Sequence, residues 1–225
     1  LTVESWIQVG YALPVLLRGL LVNLELLLGL LAIGLVVGMA VALVEVYAPR
    51  PVAAVAVAYE WFFRGVPELV LLFLFYFGPD QFGVQISAFT AAVLALGFRS
   101  SAYQSQIFRG AIQAIPAGQM LAARSLGMGR LRAIWHVVLP QALRLSLAGW
   151  SNEFSSVLKD TTLAYGIGVV EVMRQARYLT ARNFRLALPA FIAVALLFLI
   201  LTYVGNWTIG LMERRLRIPG LEARR

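Results

Sequence analysis

Two sets of charged residues interrupt long apolar runs in this chain. Glu60, Arg64 and Glu68 recur every fourth residue, which places all three on one helix face. Glu60 precedes Arg64 in the order that favours an ion pair along a helix. Gly65, Val66 and Pro67 fall in the same turn; Pro67 removes a backbone donor and its ring opposes the Phe63 carbonyl, while Gly65 loosens the backbone. Glu153 and Asp160 form the second set, two helical turns or about 10 Å apart on a common face. Lys159 adjoins Asp160 but does not share its face. Thr161 and Thr162 add hydroxyls, and Gly166 and Gly168 then close the helix. Carboxylates and freed carbonyls near such an end suit an ammonium group, and the N–H groups of a restarting helix suit a carboxylate. A zwitterion needs both. On the residues alone a structural role stays open as well: Glu60–Arg64 as an ion pair that locks its helix, Lys159 and Asp160 as partners of other helices.

The elements that position these charges are read from the apolar runs. The 225 residues are 60% hydrophobic and 13% charged, with a mean hydropathy of +0.80. That leaves too little polar surface to cover a water-soluble globule and points to a multispan membrane protein. A crossing helix needs about 20 mostly apolar residues. The pattern predicts an all-α membrane protein of one domain, 1–225, with five spans at approximately 15–46, 52–77, 84–108, 137–164 and 186–212. Leu26–Val44, Gln81–Phe98 and Leu186–Met212 are free of charge. Ala48-Pro49-Arg50-Pro51 and the Gly78–Gly83 segment supply turns, and residues 170–185 are too polar to span.

With the N-terminus outside and the C-terminus cytoplasmic, the inner segments carry Arg50, Arg109, Arg124, Arg130, Arg132, Arg144 and the tail arginines Arg214, Arg215, Arg217, Arg224 and Arg225. The outer side holds Arg174, Arg177, Arg182 and Arg185. The excess favours this orientation, against which the outer four count. The net charge of +8 is thus spread over inner loops rather than gathered on one face, which argues against nucleic acid. Leu1–Gly10 has no basic stretch, so no cleavable signal is expected.

The chain has no cysteine and one histidine, His136, which excludes disulfides, iron–sulfur clusters, thiolate zinc and histidine metal clusters. Lys159 is the only lysine and follows SNEFSSVL, so there is no phosphate-binding P-loop. No nucleophile–base pair is visible. The Gly29, Gly34, Gly38 series reads as close helix packing. Phe73, Phe75, Tyr76 and Phe77 read as an interfacial belt and lipid face, and His136 as a surface residue.

Between the third and fourth spans, residues 109–136 form a long polar loop. Pro116 restarts the chain, Gly118–Leu126 reads as a short helix, and Gly127 and Gly129 end it with a possible left-handed cap. A second amphipathic piece, Leu131–Val138, leads to Pro140. Together they predict two short helices with a sharp corner at the membrane surface. Either a solvated loop or a docking element for a partner fits.

This segment resembles the EAA loop of permease subunits in ATP-binding cassette importers. The pattern there is Glu-Ala-Ala, three residues, Gly, nine residues, Ile-x-Leu-Pro. Here Leu121-Ala122-Ala123, Arg124-Ser125-Leu126, Gly127 and Val137-Val138-Leu139-Pro140 keep the spacing, with Leu121 in place of the Glu and Val137 in place of the Ile. Phe63–Val70, Ala117-Gly118-Gln119, Leu139–Arg144, Asn152-Glu153-Phe154 and Lys159–Leu163 are similar to segments of polar amino acid permeases of the histidine/glutamine group.

The resemblance implies a bacterial inner-membrane, multi-pass permease that pairs with a second copy or a sister permease. It implies an ATPase dimer holding ATP and Mg, an extracytoplasmic substrate-binding protein, and no cofactor or enzymatic activity in this chain. Gly118, Gln119, Ala122, Ala123, Arg124, Ser125, Leu126, Gly127 and Met128 are then the ATPase-coupling residues. Gly65, Val66, Pro67, Glu68, Glu153, Lys159, Asp160, Thr161 and Thr162 are the candidates for the amino acid path. Glu60, Glu68, Glu153 and Asp160 outnumber Arg64 and Lys159, a lean toward cationic substrates. The rival is a secondary transporter driven by protons through Glu153 and Asp160, although the internal repeats of such proteins are not evident.

Overall fold

A computed structural model describes residues 3–216. It is helical, and no strand occurs among the described residues. The order is α1 (Val3–Tyr47), α2 (Arg50–Gly65), α3 (Glu68–Phe77), α4 (Ala88–Gln113), α5 (Ala117–Ser125), α6 (Arg130–Ala133), α7 (Leu139–Asp160), α8 (Val172–Arg182) and α9 (Ala187–Arg215). The tail residues Arg217, Arg224 and Arg225, used above for orientation, lie outside the described residues, as do Leu1 and Thr2 of the segment read for a signal.

α1 is the axis of the fold. Its middle packs Leu26, Leu27 and Leu30 against α3, α4 and α7; its first half meets α8 and α9 through Leu16 and Leu20; its last turns meet Phe108 and Ile112 of α4. The glycine series lies on the seam with α4. A Cβ at Gly38 would stand 2.8 Å from the Ser101 carbonyl oxygen, so the two backbones approach as closely as they do only because glycine is there. The packing reading of Gly29, Gly34 and Gly38 fits this contact.

α1 and the segment Phe184–Arg215 are long and apolar enough to cross a membrane, and the bent α2–α3 pair is a third candidate. The expected second span, 52–77, is not one helix. It breaks at Val66–Pro67, and the two pieces bend by 104°. α3 alone, at ten residues or about 15 Å, is half the hydrocarbon thickness. Proline fixes the site of the break, because Pro67 cannot donate to Phe63 and begins a new helix instead. α4 and α7 are about 39 Å and 33 Å long. Their hydropathy is diluted by polar residues, several of which (Ser100, Ser101, Gln104, Ser105, Ser146) are buried against other helices.

Two further boundaries move. The expected loop 109–136 is shorter, because α4 continues to Gln113 and the chain from Arg130 is helical into α7. The second piece, Leu131–Val138, is not a separate short helix: a wider, π-type turn over Ile134–Val138 carries it through Pro140 into α7. Of the four aromatics expected at the lipid face, Phe73 and Phe77 are exposed, whereas Phe75 packs on Phe63 and Phe98 inside the bundle. His136 is exposed, its Nδ1 2.9 Å from the Arg132 carbonyl oxygen.

Candidate functional site

The break between α2 and α3 delivers Glu68 to the first turn of α3, opposite the middle of α4. There it pairs with Arg99. The same guanidinium donates through Nη1 to Asp160 Oδ2 at 3.0 Å, at the last turn of α7. The Tyr103 ring lies one turn further along α4, its centroid 4.8 Å from the Arg99 guanidinium carbon and 5.1 Å from that of Arg64. Beside Arg99, Ser100 donates to Glu153 at 2.8 Å. Two carboxylates, one from α3 and one from α7, therefore share one guanidinium from α4, and a third, Glu153, is held by the neighbouring Ser100.

Of the path candidates, Glu68, Glu153 and Asp160 come together here. Gly65, Val66 and Pro67 form the bend itself, and Gly65 faces a cavity of about 510 Å³ lined also by Glu45, Arg64, Tyr103 and Arg109. Lys159 does not join the cluster: it is exposed and makes no ion pair among the described residues. Thr162 only caps its own helix, donating to the Lys159 carbonyl at 2.8 Å. Thr161 is fully buried; it donates to Leu158 and accepts from Asn23 Nδ2 at 2.9 Å, which gives it a packing role.

The Glu60–Arg64 ion pair is not formed. Glu60 is 4% exposed and accepts from Ser105 and Gln106 of α4. Arg64 turns to Tyr103 instead, and the bend carries Glu68 off the face that spacing assigns to all three. Nor are the donors of the restarting helix free. Glu171 caps α8, accepting from Met173 N and Arg174 N at 2.9 Å, and Asn23 Oδ1 takes Val172 N at 3.1 Å.

Arg99 is the residue that sequence reasoning missed. The charge-free run Gln81–Phe98 ends one position before it, yet Arg99 lies well inside the third span. The cost of charge at membrane depth, which singles out Glu60 and Asp160, applies equally to it. Asn23, Ser100, Ser105 and Gln106 carry no such signal.

At the other end of the molecule the short helix α5 is closed by a left-handed turn. Gly127 has φ +81°, Met128 N bonds Ala123 O at 3.2 Å, and Gly127 N bonds Arg124 O at 3.0 Å. This is the Schellman pattern, which needs glycine at that position. Ala123 is buried, while Gly118, Gln119, Ala122, Arg124 and Ser125 are exposed and Met128 is half-buried. Leu121 and Leu126 are 69% and 84% exposed, and Leu131 and Trp135 extend the apolar surface. The inner side of α5 borders an apolar cavity of about 540 Å³ shared with Tyr47, Ile112 and Ile115. Arg130 donates to the Tyr47 carbonyl at 2.9 Å, tying the turn to the end of α1.

The family model for binding-protein-dependent transport system inner membrane components matches residues 34–218, and the chain belongs to that family. The chain is 36% identical to the glutamine transport system permease protein GlnP of Escherichia coli (strain K12), over 95% of this chain and 98% of that one. It is 38% identical to the probable amino-acid ABC transporter permease protein PatM of Vibrio harveyi, over 87% and 90%. A solved amino acid ABC transporter with histidines superposes with a TM-score of 0.83 at 37% identity, covering 96% of this chain and all of that one.

Proposed function

We propose that this chain is the membrane-embedded permease of an ATP-driven importer of polar amino acids, with a preference for cationic ones. It forms one transmembrane domain of five spans, counting α4, α7 and the bent α2–α3 pair, with the N-terminus outside and the C-terminus in the cytoplasm. The described arginines of the inner segments support that orientation. A partner ATPase dimer binds ATP and Mg and docks on α5; this chain has no hydrolytic role. A second permease, identical or related, completes the path, and a binding protein delivers substrate from outside.

The observation that carries the substrate side is the pairing of Glu68 and Asp160 with one guanidinium at a helix break, with the Glu153 carboxylate on the adjacent Ser100. Carboxylates in a partly dry cavity attract a substrate cation more strongly than they do in water. The observation that carries the coupling side is the exposed apolar surface of α5, linked through Tyr47, Ile112 and Ile115 to two long helices.

The test is uptake by the reconstituted permease with its co-purified ATPase. Labelled lysine should accumulate in proteoliposomes only with ATP on the ATPase side and binding protein on the other. Uptake driven by a proton gradient without ATP would assign the chain to the secondary transporters instead.

A further inference from the structure

Arg99 spends its guanidinium on the residues read as the substrate site. It pairs with Glu68 on α3 and Asp160 on α7, and it lies over Tyr103 of its own helix. Its side chain is 15% exposed, while those of Glu68 and Asp160 are 34% and 21% exposed. The cation is therefore the least exposed member of the trio. Arg64 on α2, sharing Tyr103, makes no ion pair among the described residues. Glu153 takes a hydroxyl from Ser100 and no guanidinium. Two of the three carboxylates are thus occupied and one is available.

We propose that Arg99 is a specificity-determining residue: a tethered cation that holds Glu68 and Asp160 in the resting state and that a cationic substrate must displace. The proposal rests on the reading of this cluster as the substrate site. A lysine or arginine side chain competes with Arg99 for the same oxygens, and only molecules in which Arg99 has let go bind it well. The apparent affinity is lowered by the fraction of molecules in that state. Glutamine presents a neutral amide, gains less from freed carboxylates and is less affected by the competition. The same contact fixes the bend, since it ties the first turn of α3 to the last turn of α7 through α4. Displacement of Arg99 by substrate releases that tie, which makes occupancy of the site legible to the helices that carry α5.

Equilibrium binding of labelled L-lysine and L-glutamine to the purified permease–ATPase complex, without the binding protein, reads this directly. In Arg99→Gln the lysine-to-glutamine affinity ratio should rise on the order of tenfold, the scale of one hydrogen bond to a charged group. Arg99→Lys keeps the charge but not the two-armed fork, so one carboxylate is freed and the ratio should rise less. That variant also serves if Arg99→Gln, with its carboxylates uncompensated, fails to assemble. A ratio unchanged or lowered in the variants that assemble overturns the proposal, because a purely structural Arg99 would weaken both ligands alike. Glu153→Gln in the parent separates the two layers. If lysine binding falls there while the Arg99 variants keep the parental ratio, the site stands and the displacement is wrong. If lysine binding is unaffected by Glu153→Gln, or is absent from parent and variants, the site reading fails and the displacement with it.

Discussion

Asp160 and Thr161 are neighbours in sequence, yet they belong to two polar clusters of opposite character. Thr161 joins Asn23 and Glu171, all fully buried. Asn23 donates to Thr161 and to Glu171 and accepts from Val172 N, and Glu171 spreads its charge over two backbone donors at the start of α8. Every partner is either backbone or a short, fixed side chain. Asp160 instead joins Glu68 on Arg99, where both carboxylates are partly exposed and the cation sits on a long side chain. A charge satisfied by backbone dipoles cannot be exchanged without unfolding the helix end. A charge satisfied by a guanidinium is exchanged by any competing cation that reaches it. The first cluster is a joint between α1, α7 and α8, and the second is a place where a ligand can act.

The largest effect that separates the two is expected from Asn23→Leu. It leaves Glu171 short of a donor and Val172 N without its acceptor, and each buried unsatisfied group costs about 1–3 kcal/mol. The yield of assembled complex and its thermal midpoint should both fall, with no change in the relative uptake of lysine and glutamine by what remains. A changed preference with full assembly would put the joint inside the substrate path.

Gly127→Val touches neither cluster. A β-branched residue at φ +81° is strained by roughly 1–3 kcal/mol, enough to distort a one-turn cap while sparing the bundle. Normal insertion with lost ATPase association or lost substrate-stimulated hydrolysis is expected. Normal hydrolysis would remove α5 from the coupling path.

The finest cut compares adjacent threonines. Thr161→Val removes the acceptor for Asn23 and should cost about 1 kcal/mol, seen as a small drop in the thermal midpoint. Thr162→Val removes only a bond to its own helix and should be neutral. Equal effects would show that the boundary between joint and site is drawn in the wrong place.

The features legible in the sequence are those set by local backbone chemistry. Pro67 breaks its helix and Gly127 ends another because neither outcome depends on a distant partner. The angle at Pro67 was not legible, since it is fixed by what α3 packs against. The Glu60–Arg64 pair follows from spacing alone and fails because Ser105 and Gln106, more than forty residues away, offer Glu60 better donors. Thr161 and Thr162 look equivalent until Asn23, 138 residues distant, selects one of them. The hydropathy of α4 and α7 falls short of a span because their polar residues are partly hidden inside the protein, where hydropathy cannot tell burial from exposure. Arg99 was legible by its cost at membrane depth, but its partners come from two helices that only the fold brings together.

The most direct measurement is uptake of lysine and of glutamine by the same reconstituted importer carrying Glu153→Gln, with ATP supplied and the amount of complex matched to the parent. The glutamine side chain still accepts from Ser100, so the fold is kept while one carboxylate charge is lost. Lysine uptake at low concentration should fall by about tenfold, the scale of a hydrogen bond to a charged group, with glutamine uptake nearly unchanged. An equal loss for both substrates, with normal assembly, would contradict a charge-reading site at the break and leave Glu153 a structural carboxylate.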